Sequence, residues 1–282
     1  MTTITIPAPS VSVTRGAPRV RPLPALTARR LALTVRSPRS LLVPLLPPVL
    51  FALVVAPALA DSVAPPGHRT AYMTFFCLAT AGLLIPLNCM FSGIGVLLDR
   101  QHGAMRELLV APIPRSSIVT GNLVAAMGIT TLQLVVLIGA SVLRGADYQA
   151  SARVIWFVAG AGLLIVVTYG IAEILSTRLT SVEEYTAALP AVAIVPFFFG
   201  GSLYPITALP GWLEAAAKVL PLTHALALFR FALTSDRGRA LHNIWGMSND
   251  VAMAALSLGV LAAYGFLAII GAIRLFTKAG RS

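Results

Sequence analysis

Residues 123–143 read LVAAMGITTLQLVVLIGASVL, a run of 21 residues without a charged side chain. A helix of roughly 20 mostly apolar residues crosses the hydrocarbon core of a bilayer, and it satisfies its own backbone N–H and C=O groups there without water. The stretch therefore predicts one membrane-spanning helix. Five other stretches share its character, and together they decide the fold class.

The composition of the whole chain agrees with several such helices. It is 57% hydrophobic and 11% charged, whereas soluble domains carry about 25% charged residues. We predict an all-α integral membrane protein with one transmembrane domain, residues 40–276. Its six transmembrane helices are predicted at residues 40–60, 72–98, 123–143, 154–175, 187–204 and 251–273.

The segments outside the spans form three further parts. Residues 1–22 are rich in Thr, Ser, Val and Pro without a helical period, which predicts a disordered tail. Residues 23–39 interleave leucines with arginines and predict an amphipathic helix in the membrane interface, with its basic side facing anionic headgroups and its end before Pro38. Residues 277–282 are predicted to form a second short tail.

The distribution of basic residues predicts the orientation in the membrane. If both termini are cytoplasmic, 14 of the 21 Lys and Arg residues lie in inner segments and seven in outer ones. Because cytoplasmic loops carry an excess of Lys and Arg, both termini are predicted to be cytoplasmic. The formal net charge of +11 is then explained by topology at a lipid bilayer, and no nucleic-acid partner is expected.

Two polar residues inside the predicted spans have two interpretations each. Glu173, near the predicted cytoplasmic end of the fourth span, either has a structural role, which we favour, or carries protons. In the structural role it reaches the membrane interface or pairs with an arginine such as Arg178 or Arg100. Asn88, in the second span, fits a substrate contact or an interhelical hydrogen bond equally well.

The two cytoplasmic connections within the transmembrane domain differ in character. Residues 101–110 predict a helix of two turns, and the following Pro112 and Pro114 make a rigid corner, so that the segment is suited to act as a lever. Residues 176–186, which include Glu183 and Glu184, are predicted to be a short loop with a charged face.

Residues 197–230 are too apolar for a loop and too interrupted for a span. Paired glycines and repeated prolines break helices. Broken helices occur at membrane depth only where protein or a water-filled cavity covers them. The region therefore predicts a re-entrant helical pair that dips into the outer leaflet before the last span and borders a translocation path.

No sequence motif for covalent chemistry is present. The chain lacks a G-x-x-x-x-G-K-[ST] phosphate loop, an H-E-x-x-H motif and an aspartate cluster for Mg²⁺, and its four histidines are scattered. We predict no catalytic residue and no metal site in this chain.

Several segments, taken in order, resemble the type 2 ABC exporter permeases, especially the drug-resistance and lipo-oligosaccharide exporters. The elements are GGSLYP at 200–205, LPGWL at 209–213, PLTHA at 221–225 and then Arg230. RELLVAPIPR at 106–115 is similar to the coupling segment of that family, and RSP at 36–38 to its entry into the first span. Gly200 departs from the pattern, where serine is common.

The resemblance implies a transport subunit of the bacterial cell (inner) membrane that does not hydrolyse ATP itself. Two six-helix halves, identical or paralogous, would work with two copies of a separate ABC ATP-binding subunit that holds ATP and Mg²⁺, while this chain holds no cofactor. Coupling to the ATPase is expected at Gln101, Ala104, Arg106, Glu107, Leu108, Leu109, Pro112, Pro114 and Arg115. The outer gate is expected at Gly200, Gly201, Tyr204, Pro205, Pro210, Trp212, Pro221, Thr223, His224 and Arg230. The substrate path is expected at Asn88, Phe197, Phe198 and Phe199.

The pattern and the modest aromatic content, 7%, favour export of a hydrophobic drug, lipid or glycolipid over a long polysaccharide. An ion-coupled secondary transporter is the alternative, and it would need intramembrane carboxylates and often an inverted repeat. Glu173 is the only ionisable residue within the predicted spans that could supply such a carboxylate. A membrane-embedded enzyme would need a cluster of polar residues facing one leaflet, and the sequence predicts none.

Overall fold

The structure, a computed structural model, describes residues 22–103, 113–149, 151–235 and 238–279. Within these ranges the chain is helical or in turns and loops, with no strand. The helices are α1 (Pro22–Val35), α2 (Pro38–Leu50), α3 (Ala56–Val63), α4 (Arg69–Gln101), α5 (Arg115–Leu143), α6 (Val154–Arg178), α7 (Val182–Leu189), α8 (Val195–Phe199), α9 (Gly211–Ala217), α10 (Pro221–Leu233), α11 (Arg239–Trp245) and α12 (Asp250–Ala279).

Six helical segments in the described ranges are long and apolar enough to cross a membrane, which confirms the all-α membrane fold. They are Leu41–Val63, Arg69–Gln101, Arg115–Leu143, Val154–Arg178, Val182–Phe199 and Asp250–Lys278. A break after Val35 separates α1 from the first span, as Pro38 predicts.

The first and fifth spans are irregular because they contain prolines. Pro44, Pro47 and Pro48 lie inside α2, and a π-helical turn, Phe51–Val55, joins α2 to α3. In the fifth span a second π turn, Pro190–Ile194, joins α7 to α8. Proline removes a backbone donor and crowds the preceding turn, so the regular α-helical hydrogen bonds are interrupted and a wider π turn forms there.

The fifth span lies earlier in the sequence than predicted. It begins at Val182, so the prediction of a loop at residues 176–186 is wrong, and Glu183 and Glu184 form the first helical turn. Ser181 Oγ accepts the Glu184 N–H at 3.1 Å, and Glu184 Oε2 accepts the Thr180 N–H at 3.2 Å. This reciprocal capping, with acidic side chains at the positive end of the helix, starts the helix in a polar stretch that hydropathy alone assigns to a loop.

α4 contributes the largest share of the buried residues and contacts α2, α3, α5, α6, α7, α8 and α10, while α12 packs mainly on α6. Small residues allow the closest contacts. A Cβ at Gly170 of α6 would lie 2.6 Å from Ala268 Cβ of α12, and a Cβ at Gly160 would lie 3.2 Å from Leu228 of α10. Close backbone approach of this kind holds helices together in a bilayer, where apolar side chains gain little by leaving lipid.

The predicted re-entrant pair corresponds to α9 and α10. The two helices meet at 78°, with only residues 218–220 between them. We call these three residues the elbow. Pro221 opens α10 at a position where its missing N–H costs nothing, so the chain turns sharply and resumes a helix at once.

Candidate functional site

The half of the candidate site that is predicted to be cytoplasmic is organised by Arg30, which fastens α1 to α4. Arg30 is buried, and its Nη2 donates a hydrogen bond of 2.6 Å to the Ser92 carbonyl of α4. Its Nη1 lies 3.3 Å from Asp99 Oδ2, and Arg29 Nη1 lies 3.6 Å from the same oxygen. The prediction that the basic side of α1 faces lipid headgroups is therefore wrong for Arg30, which points into the protein because α4 offers it a carbonyl and a carboxylate.

Two glycines make room for α1. A Cβ at Gly95 would overlap Arg30 Nη2 and would lie 2.9 Å from Arg30 Cζ. A Cβ at Gly121 of α5 would lie 3.0 Å from Leu26 Cβ, and the Gly121 carbonyl accepts the Thr27 hydroxyl at 3.2 Å. The N-terminal helix is thus seated against the second and third spans.

Three of the residues expected to couple to an ATPase are described, and all lie at or beside helix ends on the side predicted to be cytoplasmic. Gln101 ends α4, and its Nε2 donates to the Thr180 carbonyl at 3.2 Å. Pro114 precedes α5, and Arg115 Nη1 donates to the Thr277 carbonyl of α12 at 2.8 Å. The other six, Ala104, Arg106, Glu107, Leu108, Leu109 and Pro112, lie outside the described residues, as does most of the helix predicted at residues 101–110.

Arg100 joins the end of α4 to the end of α6 beside this segment. It donates to the Ser176 and Thr177 carbonyls at the end of α6, the latter at 3.2 Å. The ends of the segment between α4 and α5 are therefore bonded to the fourth and sixth spans, and a push on it would reach several helices.

The half of the site that is predicted to face outward is centred on Arg230 of α10. Its Nη2 donates to the Ser202 carbonyl at 3.1 Å, and its guanidinium lies 3.8 Å from the ring centroid of Phe75 in α4. Gly201 has φ of +82°, a conformation that favours glycine, and Gly200 has no room for a Cβ because Pro196 O would lie 2.7 Å away. The Gly-Gly turn after the fifth span is thus held against α10 and α4.

The remaining residues of the expected outer gate are spread over the same region. Tyr204 donates its hydroxyl to the Phe198 carbonyl at 3.0 Å. Trp212, 75% exposed, projects from α9. Pro205 and Pro210 are exposed and flank the 3₁₀ turn Ile206–Ala208 before α9, while Thr223 is buried in α10.

The expected substrate-path residues have different environments. Phe197 is buried and meets the Phe51 ring edge-to-face at 6.1 Å, whereas Phe198 is half exposed and Phe199 partly exposed. Asn88 is buried, and its amide donates to the Thr130 hydroxyl of α5. Asn88 therefore makes the interhelical hydrogen bond, one of its two predicted roles.

Glu173 does not pair with either predicted arginine. It is fully buried in α6 and accepts a hydrogen bond of 2.9 Å from the Tyr169 hydroxyl, and its Oε1 has no hydrogen-bond partner among the described residues. Arg100 instead donates hydrogen bonds to the backbone carbonyls at the end of α6. Within the same described ranges no group of His, Cys, Asp or Glu side chains is arranged to hold a metal ion.

Sequence reasoning missed several residues that organise these sites. The space beside Gly95 that holds the Arg30 guanidinium is formed by residues far apart in the chain, so no local sequence pattern predicts it. Ser257 and Tyr264 of α12, which contact α10 and the elbow, resemble the other small and aromatic residues of the last span.

Six candidate spans, a docked N-terminal helix and a bent pair before the last span, all within the described residues, indicate a multi-pass membrane protein. The chain belongs to the family described as ABC-2 type transporter, whose pattern matches residues 22–234. This confirms the family resemblance that the sequence motifs indicate. Members of this family are the permease subunits of ABC transporters, and such subunits are generally not catalytic themselves.

Individual relatives agree with the family assignment. The chain is 24% identical over 259 residues to a transport permease named ycf38 from Pyropia yezoensis, covering 87% of both chains. The ycf38 permease of Porphyra purpurea is 23% identical over 264 residues, covering 90% of this chain and 87% of the relative. A doxorubicin resistance ABC transporter permease protein named DrrC, from Mycobacterium tuberculosis, is 24% identical over 191 residues, covering 65% of this chain and 66% of that one.

Proposed function

We propose that this chain is the permease subunit of an ATP-driven exporter that moves a hydrophobic or amphipathic substrate, such as a drug, lipid or glycolipid, out of the cell. The observation that carries the proposal is the seating of α1 through Arg30. It links an N-terminal helix on the predicted cytoplasmic side to the backbone of α4, the most buried span.

The proposed energy source lies on a second protein. The chain has no phosphate-binding loop, so ATP and Mg²⁺ would be held by two copies of an ABC ATP-binding subunit. A second permease half, identical or paralogous, would complete the translocation path. The assembly would lie in the bacterial inner membrane with both termini of this chain in the cytoplasm, as the excess of inner basic residues predicts.

The contacts suggest how force would travel. Closure of the ATP-binding subunits would push on residues 101–110 and on α1. From there Arg30 would transmit the displacement to α4, Arg100 to α6 and Arg115 to α12. The path would open between the two copies of the second and fifth spans, with α9 and α10 forming its outer gate.

Doxorubicin is a suitable first probe of transport, because the name of the M. tuberculosis relative refers to resistance to it. The side chains of the predicted path support an apolar cargo. Of the three consecutive phenylalanines at 197–199, two retain exposed surface, and no charged residue lies within the fifth span after Glu184.

The proposal is tested by co-purification with candidate ATP-binding subunits, followed by ATPase assays of the complex in lipid. Wild type is compared with Glu107→Ala in the lever segment and with Asp61→Ala, a matched loss of an acid at the end of the first span, where Asp61 pairs with Arg69 at the opposite end of the second span. We expect a stable complex whose ATPase activity or doxorubicin coupling falls in Glu107→Ala and is retained in Asp61→Ala. Failure to bind any ATP-binding subunit would overturn the proposal.

One observation favours a second candidate, an ion-coupled transporter that acts alone. Glu173 is a fully buried carboxyl group with an oxygen that lacks a hydrogen-bond partner in the described structure, and buried intramembrane carboxylates often carry protons. Glu173→Gln distinguishes the candidates, because an amide accepts the Tyr169 hydrogen bond but cannot exchange a proton. Loss of transport with ATPase activity intact would favour proton coupling.

A further inference from the structure

The backbone N–H groups of the elbow bond back to α9 carbonyls, whereas two of the elbow's own carbonyls are held by side chains of α10 and α12. A helix leaves its last carbonyls without intrahelical partners, and the 78° bend prevents α10 from continuing the ladder of α9. His224 Nε2 lies 2.9 Å from the Lys218 carbonyl, and the Tyr264 hydroxyl donates to the Val219 carbonyl at 3.0 Å. Two consecutive elbow carbonyls are therefore satisfied by α10 and by the last span, α12.

The hydrogen bonds around His224 have a defined direction. A carbonyl only accepts, so Nε2 carries the proton that is donated to Lys218, and Nδ1 of the neutral ring accepts from the Ser257 hydroxyl at 3.3 Å. Ser257 in turn accepts the Trp245 indole N–H at 2.9 Å. His224 and Ser257 are both buried, and each hydrogen bond in the series has one donor and one acceptor.

Ser257 and Tyr264 contact the bent pair from the same face of α12. They are seven residues apart, which is two helical turns and about 10 Å along the axis. Ser257 contacts the His224 side chain in α10, and Tyr264 contacts the Val219 carbonyl in the elbow. Ala268 lies on the same face, four residues after Tyr264, and it packs on Gly170 of α6 without room for a Cβ.

We propose that Ser257, Tyr264 and His224 are positioning residues that fasten the elbow to the last span, so that α9, α10 and α12 move as one body when the outer gate opens. The role in transport rests on the proposed function above. The attachment itself does not, because it is a property of the single chain. If the attachment is lost, the pair moves independently of the span, and displacement at the cytoplasmic end no longer reaches the gate.

The attachment is measured by pulsed electron paramagnetic resonance on the full chain in lipid nanodiscs. Spin labels are placed at Ala215→Cys in α9 and Arg274→Cys near the other end of α12, both exposed, after Cys77 and Cys89 are replaced by alanine. Ser257 and Arg274 lie about 25 Å apart along α12, so the labels report the position of the pair against the whole span. Excess unlabelled chain restricts the signal to distances within one chain.

We expect one narrow distance distribution in the labelled parent. Tyr264→Phe keeps the ring and removes only an exposed hydrogen bond, so it should fold, and it should raise the detached population about fivefold, the effect of one hydrogen bond. Combining it with Ser257→Ala should raise the population further. The matched control is Tyr148→Phe, which removes a hydrogen bond to Ser141 away from the elbow and should leave the distribution narrow.

A conservative replacement at His224 separates positioning from bulk packing. The Gln amide N–H reaches nearly as far as Nε2–H, so His224→Gln should retain more of the attached population than His224→Leu. In the complex with an ATP-binding subunit, the Ser257→Ala/Tyr264→Phe variant should lose doxorubicin turnover about fivefold or more, with its half-saturating concentration and ATPase rate unchanged.

The outcomes are distinguishable. A distribution in the Ser257→Ala/Tyr264→Phe variant as narrow as in Tyr148→Phe would overturn the attachment. A broad distribution with wild-type turnover would overturn its role in gating. A wild-type complex without ATPase activity would contradict the proposed function, while the resonance measurement, made without nucleotide, would still decide the attachment.

Discussion

Replacing Gly95 with alanine should detach α1 from the second span. The added Cβ would overlap Arg30 Nη2 and lie 2.9 Å from Cζ, so the guanidinium must leave its place against the Ser92 carbonyl and Asp99. α1 then loses its only buried charged contact with α4 among the described residues.

The magnitude follows from two contributions. A hydrogen bond from a charged donor contributes about 1.5–3 kcal/mol, and the partly exposed pair with Asp99 adds roughly 0.2–1 kcal/mol. The higher helix propensity of alanine stabilises α4 equally whether α1 is seated or not, so it does not offset this loss. The free energy of seating α1 should therefore fall by roughly 2–4 kcal/mol, which raises the unseated population about 30- to 700-fold.

The assay is the labelling rate of a cysteine at Leu26 by a water-soluble maleimide, in a chain lacking Cys77 and Cys89. Leu26 is 9% exposed and packs on Gly121, so labelling reports unseating of α1. Gly139→Ala is the matched control, because its Cβ would meet nothing within 4 Å. Labelling in Gly95→Ala that is as slow as in Gly139→Ala would refute the reasoning.

Three further predictions concern the outer site, the fifth span and the buried carboxyl. Arg230→Lys loses the planar stack on Phe75, worth about 1–2 kcal/mol, and should lower the melting temperature measured by intrinsic fluorescence; an unchanged melting temperature would count against the contact. Ser181→Ala removes the helix cap at a cost of about 1 kcal/mol and should lower the melting temperature by roughly 2–4 °C, whereas Ser62→Ala, which loses bonds only to its own helix, should not. Glu173→Gln should keep ATP-driven doxorubicin transport in vesicles within about twofold of wild type, since an amide preserves the Tyr169 hydrogen bond; a larger loss would speak for proton carriage.

The spans and the bent pair could be predicted from the sequence because both follow from local composition. A run of about 20 apolar residues has few alternatives to a helix in a bilayer, and glycines and prolines as closely spaced as those of residues 197–221 disfavour a continuous helix. The span boundaries were harder, because capping by Ser181 starts a helix in polar sequence.

The contacts that organise the two halves of the site could not be predicted in the same way. Arg30 meets Ser92 across 62 positions, and His224 meets Ser257 across 33. Nothing in either local sequence distinguishes a lipid-facing arginine from a buried one, or a packing serine from one that holds an elbow. Such pairs depend on how the helices are arranged in space.

The central claim is that ATP hydrolysis on a partner subunit drives transport through this chain. It is tested most directly by doxorubicin uptake into inside-out proteoliposomes that contain the chain with or without its ATP-binding subunit, energised either by ATP or by an imposed proton gradient. We predict uptake only with the partner and ATP. Gradient-driven uptake in vesicles that lack the partner would contradict the account.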